Sequence, residues 1–297
     1  TFANMIDMLT VNPCIKTAMK ASPHTFDSLL SDKLTTDMLP NFIYGSYTGL
    51  AVTVFGLVPT ITAMFGKSIL PSLAESCAKN DKKAMQSGLT KMLIVTSIIA
   101  IPAGMGIAVL SEPILRFLFG GRETEIQVCI MPMSILGIAV IFLAIATPCF
   151  AILQTLGKPH KAIIIMLTGG IIKLFLNIIL IRQPIINISG AAISTLVSEV
   201  FICALSVRSV CKMTDLKPKV SEIFVKPTYA AIMCSVTAVL SHETLTKIAH
   251  LQINHRFVTL FSIGIGSTMY FFCLYLLCET PKNIVNYIFS KKNPQNP

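Results

Sequence analysis

Lys173 and Asn177 stand four residues apart inside an apolar run, Gly169-Gly170-Ile171-Ile172-Lys173-Leu174-Phe175-Leu176-Asn177. On a helix that spacing puts an ammonium and an amide on one face. Together they could present a charge and a donor to a phosphate. Two carboxylates occur in comparable surroundings. Glu199 follows Ser194, Thr195 and Ser198 in another apolar run. This polar stripe could line a cavity, carry a proton or bind a coupling cation. Asp7 lies in the semi-apolar segment 1–11. A plainer reading stays open for the same residues: Lys173 could pair with Glu199 or with Asp7 and hold helices in register. In either case an ionisable group deep in a bilayer is costly and must face the bundle interior or a wet cavity.

The elements that position these groups are long apolar runs at about 41–66, 91–111, 128–156, 162–181, 185–207, 227–241 and 257–278. A bilayer core of about 30 Å needs about 20 residues of helix to cross it. Inside lipid every backbone polar group must be satisfied within the segment, so each run is predicted to be a helix. The run 227–241 is the shortest. Composition agrees: 13% of residues are charged, where a soluble domain carries about 25%. The chain is therefore expected to be an all-α polytopic membrane protein. Lys173 falls about twelve residues into its run, too deep for easy snorkelling to an interface.

Several other chemistries find no support. The nine cysteines are odd in number and show no C-x-x-C spacing, so they read as small core residues. The five histidines are scattered without metal-ligand spacing. No Ser/His/Asp set, hydrolase carboxylate pair or Walker A loop occurs, and the reading is no enzyme, no metal and no cofactor. Gly104-Met105-Gly106 and Gly264-Ile265-Gly266 lie inside apolar runs and lack the strand–turn–helix context of a dinucleotide site. Pro59 and Pro148 are expected to kink their helices. Gly190, Ala191, Ala192 and Ser194 form a small-residue patch suited to close helix packing. Segment 69–88, apolar on one side and basic on the other, is predicted to be an amphipathic surface helix.

Charge gives an orientation. Taken alternately, the connections 67–91, 157–161, 208–226 and 279–297 hold 15 Lys and Arg; the other set, 14–40, 111–127, 182–184 and 242–256, holds eight. The positive-inside rule makes the first set cytoplasmic, and the C-terminus with it. A net charge of +10 then reflects topology and contact with anionic lipid heads, with no nucleic acid as partner. The chain starts at Thr1 inside a semi-apolar segment and is expected to be a fragment whose first helix is cut.

Combined motifs resemble a known family. Phe65-Gly66-Lys67-Ser68-Ile69-Leu70-Pro71-Ser72-Leu73-Ala74-Glu75 with the basic stretch after it is similar to the helix 8–9 connection of the multidrug/oligosaccharidyl-lipid/polysaccharide flippases. Ile101-Pro102-Ala103-Gly104-Met105 and the stretch 110–120 resemble their helix 9 and its outer end. Leu153-Gln154-Thr155-Leu156-Gly157-Lys158-Pro159 resembles the turn after helix 10. Lys173-x-x-x-Asn177 and Gly190-Ala191-Ala192-x-x-Thr195 resemble the signature of helices 11 and 12, and Asn4-Met5-Ile6-Asp7 resembles helix 7. The likeness is greatest to the stage V sporulation protein B branch.

The resemblance implies a MATE/MurJ-like flippase fold, here its C-terminal half, with partial helix 7 plus helices 8–14. Residues 1–213 would form a six-helix lobe, and 214–297 two additional transmembrane helices and a cytoplasmic tail. The implied activity is movement of undecaprenyl-diphosphate-linked saccharide, lipid II above all, across the bacterial cytoplasmic membrane by alternating access. Coupling would be to H+, Na+ or membrane potential. Partners would be the lipid-linked oligosaccharide, membrane lipids and a missing N-terminal lobe of the same protein. The substrate-binding candidates are Lys173, Asn177, Glu199 and Asp7. The alternatives are a MATE-type drug or cation antiporter and a membrane scaffold without transport.

Overall fold

A computed structural model describes residues 2–21, 35–79, 81–215, 221–249 and 255–277. The described chain folds into α1 (Phe2–Ala21), α2 (Leu39–Ser46), a π-helical turn (Tyr47–Ala51), α3 (Val52–Ala78), α4 (Lys82–Val109), α5 (Ser111–Phe119), α6 (Glu123–Thr155), α7 (Pro159–Leu180) and α8 (Ser189–Thr214). A second π-helical turn (Ser221–Val225) leads into α9 (Lys226–Ala249), and α10 (His255–Leu277) follows. Among the described residues, seven stretches are long and apolar enough to span: Leu39–Met64, Lys82–Val109, Glu123–Thr155, Pro159–Leu180, Ser189–Thr214, Ile223–Lys247 and Phe257–Leu276. These are the seven runs read from hydropathy. The short run 227–241 proves to be the first part of a full-length helix, α9, that continues through the polar stretch 241–247. This is an all-α, multi-pass membrane protein.

The central helix is α6, packed against α3, α4, α5, α7 and α8. Its crossing with α4 depends on missing side chains. A Cβ on Gly104 would lie 2.6 Å from the Gly137 carbonyl oxygen, and one on Gly137 would lie 2.5 Å from the Ala108 nitrogen. The backbones therefore touch, and Ser134 Oγ donates across the contact to the Ala108 carbonyl at 2.7 Å. This is how helices associate where lipid is as apolar as leucine and the hydrophobic effect gives little drive. The small-residue patch at the start of α8 works in the same way: Gly190, Ala191, Ala192 and Ser194 are all buried. A Cβ on Gly190 would meet the α7 backbone at Leu180, 2.9 Å away.

Two local expectations are revised. Segment 69–88 is not one surface helix. Residues 69–78 continue α3 and 82–88 open α4, with Asp81 Oδ1 accepting from the Ala84 N–H at 3.0 Å as the N-cap. Its apolar side turns inward, where Leu73 is buried with Leu89, Ile152, Leu153 and Val210. The first helix extends to Ala21, well beyond the apolar segment 1–11, because Lys16 and Lys20 lie on its exposed face while Val11, Cys14, Ile15 and Ala18 are buried. Pro59 and Pro148 sit inside continuous helices. The tail 279–297 lies outside the described residues.

The start of α4 and the end of α8 meet at one end of the bundle. Lys82 at the start of α4 pairs with Asp215 at the end of α8 at 3.3 Å. Gln86 reinforces this: its Nε2 donates to the Thr214 and Asp215 carbonyls at 3.1 and 3.2 Å. Elsewhere, at the α5–α6 junction, Arg116 bridges Glu112 and Glu123 at 3.0 and 2.7 Å.

Candidate functional site: a buried charged cluster

Lys173 projects from the middle of α7 and is 2% exposed; Asp7 on α1 is 4% exposed. Their Nζ and Oδ2 atoms are 2.7 Å apart. Of the two acids the sequence offered, Asp7 makes this ion pair. Its other oxygen, Oδ1, accepts from Asn177 Nδ2 at 2.9 Å. The four-residue spacing on α7 therefore does what was expected of it, aiming both groups at one target, and in this structure the target is a carboxylate of the protein. Asn177 Nδ2 also donates to Thr10 Oγ1 at 2.9 Å, and Ser194 Oγ of α8 donates to Asn177 Oδ1. One network thus ties α1, α7 and α8 together. A buried pair is tolerable only when the remaining polar atoms are satisfied, and here Asp7 is held by both partners.

Glu199 stands apart from this network. It is 6% exposed, and its Oε2 has no hydrogen-bond partner. It shares a part-enclosed cavity of about 130 Å³ with Lys173, Asp7, Tyr47, Thr195 and Ser198; the rest of the wall is largely apolar, from Val52, Phe55, Leu136, Leu143, Phe150, Met166 and Ile202. A site of about 10–15 Å³ suffices for one water, so this space admits several. It falls short of the about 300–1,000 Å³ of ligand pockets. All four candidate residues line the cavity or touch a residue that does. Thr10 and Tyr47 escaped sequence reasoning. Thr10 could have been found from its place three residues after Asp7, on the same helical face. Tyr47 had no local signal.

Gly169 explains how α7 and α8 come close enough for this. A Cβ there would overlap the Ile202 side chain, so glycine lets the helices approach beside Lys173 and Glu199 with Ile202 in place.

The fold and the buried cluster define a class: a membrane protein built like the flippases. A similar solved structure is "Lipid II flippase MurJ, inward closed conformation", with a TM-score of 0.61 at 19% identity over 80% of this chain and 49% of that one. Residues 42–261 match the family described as "Lipid II flippase MurJ", and the chain belongs to that family. Its members are transporters and not enzymes. Among curated relatives, Lipid II flippase MurJ of Bacillus subtilis is 21% identical over 225 residues, 73% of this chain and 40% of that protein. Stage V sporulation protein B of the same organism is 23% identical over 182 residues, 60% of this chain and 34% of that protein. The chain thus spans between a third and two fifths of the length of these relatives.

Proposed function

We propose that this chain forms one lobe of a flippase that moves an undecaprenyl-diphosphate-linked saccharide, lipid II the favoured cargo, across the bacterial cytoplasmic membrane by alternating access. The observation that carries this reading is the buried Lys173 ammonium in the wall of a cavity. A diphosphate oxygen would compete with Asp7 for that ammonium through a charge-assisted hydrogen bond. Asp7 would stay held by Asn177 while Lys173 turned to the cargo. Contact between α1 and α7 would then depend on loading, giving a rocking bundle two states to choose between. The cavity within this chain is too small for a whole lipid-linked sugar, so the remaining wall would come from an N-terminal lobe of the same protein. The basic end of the bundle, joined by Lys82 and Asp215, would face the cytoplasm, with the C-terminus on that side. A C-terminal reporter read from either side of the membrane tests this orientation.

The decisive experiment is lipid flipping by the full-length protein in liposomes. Lys173→Ala should abolish flipping while the fold survives; unchanged flipping rejects the role given to Lys173. The Asp7–Lys173 pair itself favours a second reading. In that one Lys173 is a fixed helix clamp, and the protein is a cation-coupled antiporter in which the acids carry the coupling ion. Cation-dependent efflux lost in Glu199→Gln would select it.

A further inference from the structure

Asp7 and Lys173 neutralise one another at 2.7 Å. Glu199 adds a third ionisable group to the same cavity, so with all three ionised the buried site carries one uncompensated negative charge. A lone carboxylate in a medium of low dielectric is expensive, and the expense disappears when the charge is neutralised. We infer that Glu199 is a proton-binding site, loaded from the cavity, that brings the α1–α7–α8 core to neutrality.

The surroundings favour a proton over a metal cation. Sodium or potassium needs a shell of several oxygens. Beside Glu199 the lining offers the Tyr47, Thr195 and Ser198 hydroxyl oxygens, which carry no charge, and both Asp7 oxygens are already taken by Lys173 and Asn177. The α6 wall is apolar, formed by Leu136, Leu143 and Phe150. A proton needs one oxygen lone pair, and Glu199 Oε2 offers an unused one at 94% burial. A nearby ammonium would also repel a second metal-sized cation. The titratable and charged groups facing Glu199 are Lys173 from α7, Asp7 from α1, Tyr47 from the π-helical turn and Cys203 one turn along α8. None of these needs to change its charge for Glu199 to load. The inference holds whatever the cargo is.

The test is infrared difference spectroscopy of the full chain in lipid nanodiscs through a pH series spanning neutrality. A protonated-carboxyl C=O band that grows as pH falls should be present in the wild type, lost in Glu199→Gln and displaced in frequency in Glu199→Asp. Replacing sodium by choline should leave it unchanged. Glutamine has the shape of a protonated glutamate, so Glu199→Gln should fold; if it does not, the displaced band in Glu199→Asp carries the assignment. A wild type without the band, a band that survives in Glu199→Gln or is undisplaced in Glu199→Asp, or a band removed by sodium in competition with protons overturns the proposal. Because no transport is measured, this result and the fate of the flippase reading are independent.

Discussion

The bundle solves one problem in two ways. On the α1–α7–α8 side, helices are tied by ions and amides: Asp7, Lys173, Asn177, Thr10 and Ser194 in one network. On the α9–α10 side, no charged residue is buried among the described residues. There α9 and α10 pack on each other and α9 on α4, using small residues: a Cβ on Gly266 would lie 2.9 Å from that of Ala238. A Tyr270 hydroxyl donates to the Ile98 carbonyl of α4 at 2.8 Å, which fixes register without burying a charge. Both solutions hold helices in a solvent that cannot drive them together by hydrophobicity. The charged one brings an extra liability, since a charge that loses its partner stays buried. Evolution has no need of that liability for packing, as α9 and α10 demonstrate, and this contrast is the physical reason to seek function on the first side.

The contrast can be broken by substitution. Asp7→Ala should cost about 3–5 kcal/mol, because it removes one partner of a buried, hydrogen-bonded ion pair. Thermal unfolding in detergent measures this, and adding Lys173→Met to the same chain should restore most of the loss. If the double variant is as unstable as the single one, Asp7 matters through packing and the comparison fails. Asn177→Ala should cost about 1–3 kcal/mol, since Asp7 Oδ1 loses its Asn177 donor in a buried site. On the other side, Tyr270→Phe should cost only about 0.5–1.5 kcal/mol, one neutral hydrogen bond with little change in shape. Lys82→Ala, at an exposed ion pair with side chains 74% and 72% accessible, should change stability by less than about 0.5 kcal/mol. An order of effects other than this one would show that the two faces do not differ in the way their chemistry suggests.

Much of this was legible in the chain itself, and the gaps have physical causes. Hydropathy located the seven spans found among the described residues because a bilayer imposes one length on all of them. It under-read α9, whose C-terminal turns are polar, and α1, where Asn12, Pro13 and Lys16 interrupt the apolar pattern of a helix buried on one face only. It mistook 69–88 for a surface helix because an amphipathic pattern reports that a face is buried and is silent on what buries it. Cys14, Cys129, Cys149, Cys203 and Cys234 are buried, in keeping with their reading as small core residues.

Depth along the membrane normal is a one-dimensional property, and sequence alone determined it: the spans, the basic ends, and an ammonium with an amide one turn away at mid-bilayer. Partnership is lateral. Asp7 lies 166 positions from Lys173 and Glu199 only 26, yet it is Asp7 that makes the ion pair. Only the tertiary packing of α1 against α7 decided this, and with it which acid is bound and which keeps an unused oxygen facing the cavity. The reason is that hydropathy records how far a residue sits from water, while helix azimuth and neighbour are set by side-chain fit between segments distant in the chain.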